Sequence, residues 1–288
     1  MITNSRVLRV LAAAGLLACG AGAVSAAEEE TKIERQQWPF AGLFGQFDQA
    51  QLQRGYQVYS EVCSNCHELN RIYFRNLAQP GGPTFPEDSV KALAAGTKVE
   101  DGPDDNGKMF QRPGRLSDAL PKRYKNEQEA RSIHNGAYPP DLSLMARARN
   151  VENDAPWYIH PFLMLKDVAK GYQEGGADYI YALLKGYKDT PPPDVKVAEG
   201  LNYNDAFPGH QIAMVNPFAG GDGQVTYTDG TPSTVDNYAR DVAAFLSWTA
   251  DPRLDERKRL GWSVLLYLIV TAVLLYLAKK RIWAKIEH

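Results

Sequence analysis

The chain has 288 residues, 44% hydrophobic and 23% charged, ordinary values for a protein that buries a sizeable core. Its formal net charge of −2 is unevenly spread, because residues 27–259 hold 26 basic against 33 acidic side chains, a net of −7. A surface of that sign excludes nucleic acid as an expected partner and suits a basic protein partner instead.

At the N-terminus, Arg6 and Arg9, the apolar stretch Val10–Ala18 and the small-residue run Val24-Ser25-Ala26 read as a secretory signal peptide over residues 1–26. A first transmembrane helix needs about 20 apolar residues, and Arg9 and the glycines leave too few. Leu16-Leu17-Ala18-Cys19 also has the form of a lipoprotein cleavage site, so lipidation of Cys19 stays open. Once the signal is removed, only Cys63 and Cys66 remain, and two cysteines make no disulfide framework.

After Glu28–Glu30, residues Trp38–Phe47 form an irregular apolar lead-in. Asp48, with Gln51 three residues on, predicts a capped helix start, and Leu52, Tyr56, Tyr59 and Val62 follow at near-helical spacing. Gly55 inside that helix predicts a close backbone crossing. A long loop-rich middle comes next, broken at Pro80–Pro86, Gly102–Gly107 and Pro139-Pro140. A short helix is expected over Ala177–Leu184. Ser233 with Asp236 predicts another capped start, Val235, Tyr238, Val242, Phe245 and Trp248 share one apolar face, and Asp251-Pro252 ends the helix. Leu260–Ala278 is then a 19-residue stretch without charge, followed at once by Lys279-Lys280-Arg281. That length and composition predict one membrane span.

Cys63-Ser64-Asn65-Cys66-His67 carries the chemistry. Cys-x-x-Cys-His is the attachment pattern of c-type haem. Two thiols on one short turn reach the two vinyl groups on one porphyrin edge, and the histidine that follows offers an imidazole nitrogen to the iron. A thioredoxin-like redox pair would want a βαβ setting, and a zinc site would want a second cysteine or histidine pair. Neither is found in the sequence. The second axial ligand is open by spacing alone: Met109, Met145, Met164 and Met214 are candidates, with His134, His160 and His210 as rivals, and methionine with histidine is the pairing that raises the potential.

The chain resembles the cytochrome c1 family of the quinol–cytochrome c reductase (bc1) complex over most of residues 38–285. The resemblance rests on Arg112-Pro-Gly-Arg-Leu-Ser-Asp118, Asn135-Gly-Ala-Tyr-Pro-Pro-Asp-Leu-Ser143, Phe207-Pro-Gly-His-Gln-Ile-Ala-Met214, Asp229-Gly-Thr-Pro232 and Glu256-Arg-Lys-Arg-Leu-Gly261. It implies Met214 as the distal iron ligand opposite His67, Arg149 facing a haem propionate, and Pro139 and Pro140 packed at the haem edge. Two departures stand out: Asn150–Ala177 is an insertion without an assigned role, and Val-Asn-Pro follows Met214 where a Pro-Pro pair is commoner.

The expectation is therefore a mainly α fold: a cytochrome c-type haem domain with long loops and one C-terminal transmembrane helix. Residues 1–26 are the signal, 27–259 a periplasmic haem c domain, 260–278 the span and 279–288 a cytoplasmic tail. Positive residues flank both ends of the span about equally, so the signal and the haem attachment set the orientation. The resemblance implies an electron-transfer subunit of a bacterial inner-membrane complex, not an enzyme by itself. It would hold one covalent haem c with His/Met ligation and work beside cytochrome b, between a Rieske iron–sulfur protein and a soluble cytochrome c. The alternatives are a membrane-anchored cytochrome serving an oxidase or a periplasmic dehydrogenase, and a haem sensor or peroxidase-like enzyme with an open sixth position.

Overall fold

The computed structural model of the chain describes residues 33–149, 156–169, 175–193 and 195–284. The expected signal peptide, with Cys19, lies outside the described residues.

Helix α1 (Gln49–Glu61) starts where the sequence predicts. Asp48 has extended backbone and its carboxylate accepts the Gln51 N–H at 2.8 Å. The reciprocal half of the capping box is not formed, because Gln51 turns into the core and its Oε1 is buried without a hydrogen-bond partner. Next come α2 (Phe74–Ala78), α3 (Glu87–Ala95), α4 (Glu127–Ile133), α5 (Met145–Ala148), α6 (His160–Ala169), α7 (Gly175–Lys185), α8 (Val235–Ala250) and α9 (Leu254–Trp283). The chain is mainly helical, as expected.

The core is organised by the crossing of α1 and α8, the first and last helices of the domain. At Gly55 the two backbones meet: a Cβ there would lie 2.2 Å from the Asp241 carbonyl oxygen and 2.6 Å from Phe245 Cβ. The predicted apolar face of α8 is buried at Tyr238, Val242, Phe245 and Trp248, and Leu52 and Tyr59 meet it from α1. Arg54 flanks the crossing and pairs with Asp241 at 2.8 Å and Asp229 at 2.7 Å. The cap of α8 differs from the prediction by one residue. Thr234 accepts the Asn237 N–H, whereas the Ser233 hydroxyl accepts from Tyr227 N and ties down the preceding loop.

Two small antiparallel sheets depart from the sequence reading. Strand β1 (Lys98–Asp101) pairs with β2 (Phe110–Pro113), and β3 (Asn202–Tyr203) with β4 (Gln211–Ile212). Neither strand of the first hairpin buries a face: β1 alternates only between exposed and half-buried positions, and β2 does not alternate. Arg112 holds this hairpin to the domain, bonding Asp118 through both terminal nitrogens (2.6 and 3.0 Å) and Asp101 through Nε.

Within the insertion, α6 and the turn before it expose Trp157, Tyr158, Phe162, Met164 and Leu165. The return helix α7 is well anchored: a Cβ on Gly176 would sit 1.7 Å from the Ala146 carbonyl oxygen, so α7 lies against α5. Asp251, Pro252 and Arg253 separate α8 from α9. The final helix has 30 residues, longer at both ends than the charge-free 260–278 stretch, and its apolar window is wholly exposed. At 1.5 Å per residue it is about 45 Å long, more than the roughly 30 Å hydrocarbon core of a bilayer.

Candidate haem site

The motif sits just past α1, in a single 3-10 turn over Cys63–Asn65. The Cys63 carbonyl accepts both Cys66 N–H (3.1 Å) and His67 N–H (2.8 Å), which gathers the two thiols and the imidazole on one turn. Both cysteines are free and half-buried. Burial pushes the Cys63 thiol up to about 12. A reactive redox pair has the opposite shift, a depressed thiol. Among the described residues no group of three or more His, Cys, Asp or Glu gathers to hold a metal, and the zinc alternative lacks its remaining ligands.

The imidazole is oriented by a strip 73 positions further along the chain. His67 Nδ1 lies 2.9 Å from the Pro140 carbonyl oxygen. A carbonyl only accepts, so Nδ1 carries the proton and Nε2 presents a bare lone pair. Burial holds the His67 pKa below its ordinary value. Asn135 and Gly136, both at positive φ, turn the chain toward Pro139 and Pro140. From there residues 140–143 are bonded to residues 67–71. Asp141 accepts Asn70 N (3.0 Å) and Ser143 N (2.6 Å), the Ser143 hydroxyl accepts Arg71 N (3.1 Å), and Leu142 N donates to the Glu68 carbonyl (2.9 Å). Glu68 in turn accepts the Arg123 and Tyr124 amides, and Tyr124 OH lies 2.6 Å from His134 Nε2.

The other candidates fall in different settings. Met214 is half-buried, and its carbonyl accepts from Tyr187 OH at 3.1 Å and Asn202 Nδ2 at 3.2 Å. Met109 and Met164 are exposed at 54% and 68%, and Met145 packs against the core at the start of α5. His134 is engaged by Tyr124, and His210 stacks on Tyr203 with Nδ1 3.2 Å from the Asn204 carbonyl. Arg149 is exposed where α5 ends, and its charge acts on the Tyr179 phenol. The structure thus joins Cys63, Cys66, His67, Pro139 and Pro140 in one place, and holds Met214 through Tyr187 and Asn202. Sequence reasoning missed those two and also missed Asp141, although Asp141 stands within the quoted 135–143 stretch.

Two thiols and a bare imidazole nitrogen on one turn fit a covalent haem, and a helical domain that carries them on a long apolar helix defines a tethered c-type cytochrome. The sequence profile described as the cytochrome C1 family matches residues 38–286, and the chain belongs to that family, whose haem c is covalently bound. It is 48% identical to a "Cytochrome b/c1" of Bradyrhizobium diazoefficiens over 95% of this chain, but spans only 39% of that protein's length. It is 48% identical to the cytochrome c1 of Blastochloris viridis, with 88% of this chain and 86% of that one covered. With the cytochrome c1 of Rhodospirillum rubrum the identity is 41% over 98% of both chains.

Proposed function

We propose that the chain is the haem c subunit of a membrane quinol–cytochrome c reductase, passing single electrons from a Rieske iron–sulfur protein to a soluble cytochrome c beside cytochrome b. One haem supplies the one-electron chemistry when bound. Cys63 and Cys66 hold it, His67 ligates the iron through Nε2 and Met214 through its thioether. Arg149 pairs with a propionate, and Pro139 and Pro140 pack the edge. The observation that carries this reading is the His67 Nδ1–Pro140 bond, which fixes the tautomer a ligand needs directly beside two free thiols. The chain's own part is to orient the imidazole, shield it and set the polarity around the iron.

The signal-like N-terminus and α9 support placement in a bacterial inner membrane, with residues 1–26 removed, 27–259 in the periplasm and 279–288 in the cytoplasm. Protease added to intact spheroplasts should degrade the haem domain and spare the tail. Detergent extracts should yield the chain together with cytochrome b and a Rieske protein, with a reduced spectrum unchanged by carbon monoxide. Purification with an oxidase or a dehydrogenase instead would overturn the complex assignment, and a carbon monoxide shift would overturn the ligand pair.

A further inference from the structure

Six large apolar side chains crowd into nine residues of the insertion and face outward: Trp157, at 82% exposure, Tyr158, Ile159, Phe162, at 72%, Met164 and Leu165. Elsewhere on the haem domain the exposed large apolar residues come singly or in pairs, as at Leu43-Phe44 and Met109-Phe110. Scattered exposed residues are ordinary, whereas a contiguous group marks an interaction surface. From Pro156 to Leu165 there is no Asp, Glu, Lys or Arg, and Lys166 and Asp167 follow at once. A helix that docks in a protein groove presents one apolar stripe and turns charged residues to water. Phe162, Leu163, Met164 and Leu165 are consecutive, and at about 100° per residue they run round the helix rather than along one side. That pattern makes an apolar tip with charges behind it.

The stem of the insertion stands beside the root of the apolar helix. A Cβ on Gly176 would lie 2.7 Å from the Arg149 carbonyl oxygen, so the insertion leaves and re-enters the domain at one point. Ala146 and Arg147 on its near side and Ala177 on its far side line one cavity with Leu254, Arg257 and Lys258 of α9. Arg147 also pairs with Asp251, at the joint between α8 and α9, at 2.7 Å. From Leu254 to Leu260, where the charge-free stretch begins, is about 9 Å of helix. The headgroup layer on each side of a bilayer is about 5–8 Å deep, so the stem stands at headgroup level. An exposed aromatic pair marks the same level, with the Phe44 ring edge-on to Trp262 at 5.3 Å.

We infer that Trp157–Leu165 is a second membrane contact, dipping into the leaflet that α9 enters. Trp157 and Tyr158 sit among the headgroups, since rings with an apolar body and a polar tip suit that layer. Phe162, Met164 and Leu165 meet the upper acyl chains, and Lys166 and Asp167 stay at the water side. The occupant of this surface is lipid rather than a protein groove, and the contact needs no particular headgroup charge. The inference rests on α9 being the span.

The test uses the full haem-loaded chain, alone and within its purified membrane complex, in vesicles of dioleoyl phosphatidylcholine. A small fraction of the lipid carries a photoactivatable diazirine near the glycerol end of one acyl chain. After illumination and digestion, mass spectrometry should find label on α9 and on the peptide holding residues 157–165, in both preparations. Met109 and Phe110, exposed on the β1–β2 hairpin, should take none. Phe162→Asp with Leu165→Asp should abolish label on 157–165 while leaving the α9 label and the melting temperature unchanged, because both positions are exposed. A chain whose α9 takes no label loses the span and this contact with it. Label on α9 with none on 157–165 removes this contact alone. Label on 157–165 in the isolated chain but not in the complex would show a protein subunit covering the tip and overturns the inference. Equal label on the hairpin, or label that survives the double aspartate variant, would show nonspecific capture of the probe and equally overturns it.

Discussion

The α1–α8 crossing and the His67 turn share the start of the domain, since α1 leads directly into the turn, and are held by opposite means. The crossing is a packed apolar contact in which one missing side chain, at Gly55, lets two helices touch. The turn is irregular backbone in which Asp141 and the Ser143 hydroxyl accept the Asn70 and Arg71 amides, the Pro140 carbonyl accepts from the His67 ring, and Glu68 accepts the Arg123 and Tyr124 amides. Packing tolerates no added volume and is indifferent to which polar atoms lie nearby, whereas a hydrogen-bonded strip tolerates volume and depends on single acceptors. The fold is therefore set by the first region and the chemistry by the second.

The strongest way to break this contrast is Gly55→Leu. The new side chain drives into helix backbone rather than a flexible neighbour, and overpacking of this kind costs about 3 kcal/mol or more. Thermal unfolding should show a large fall in melting temperature or no folded protein, and a near-native melting temperature would deny the close crossing. Met214→Leu should leave folding almost intact, because Tyr187 and Asn202 hold the backbone carbonyl rather than the thioether. It should lower the midpoint potential on the order of a hundred millivolts or more and open the iron to carbon monoxide. The same effect from Met109→Leu or Met164→Leu, with Met214→Leu silent, would reassign the ligand.

Asp141→Ala removes the acceptor for two buried-edge amides, Asn70 and Ser143, so a loss of about 2 kcal/mol is expected in denaturant unfolding. Asp141→Asn keeps one acceptor and should recover part of that loss. Equal losses for both variants would mean that the strip is held by something other than these bonds.

A pH experiment extends the contrast to the β1–β2 hairpin. Hydrogen bonds from Arg112 hold the Asp118 carboxyl down, from 3.8 to about 2. Its folded value lies below its unfolded one, so its contribution is complete above about pH 4 and is lost as pH falls from there toward 2. Arg112→Gln should flatten the acid decline over that window and leave the profile between pH 5 and 7 as in the wild type. An unchanged decline would place the acid-sensitive group elsewhere.

The smallest effect concerns the same hairpin as a docking surface. Asp101 is committed to Arg112, and Asp104 accepts the Asn106 and Lys108 amides, which leaves Glu100 and Asp105 as the exposed pair best able to steer a basic partner. Transfer to a basic soluble cytochrome should slow with salt as the Debye length shrinks to about 8 Å. Reversing Glu100 and Asp105 to lysine should weaken that dependence modestly, and an unaltered slope would move docking to another face.

These contrasts also explain what the sequence could announce. Leu52, Tyr59, Tyr238, Val242, Phe245 and Trp248 repeat with the helical period because they face one core, and Gly55 stood out as a break in that period. The His67–Pro140 contact joins positions 73 apart through a backbone oxygen, which no residue type encodes. Asp141 acts through its side chain on amides, so its sequence signal is only a polar residue after two prolines. The β1–β2 hairpin reads as loop in the sequence because both strands are four residues long and neither buries an apolar face. The last helix was legible by its apolar length, while its charged first turn, Leu254–Arg259, was not, because charged residues continue a helix without marking its start.

That first turn has a mechanical consequence. Phe40, Gly45 and Phe47 of the lead-in loop are fastened to Lys258 and Asp255, so the joint between domain and tether is closed on two sides rather than resting on the three residues that connect α8 to α9. The domain is mounted on a bracket, not a leash. Its tilt and azimuth follow the helix that carries it.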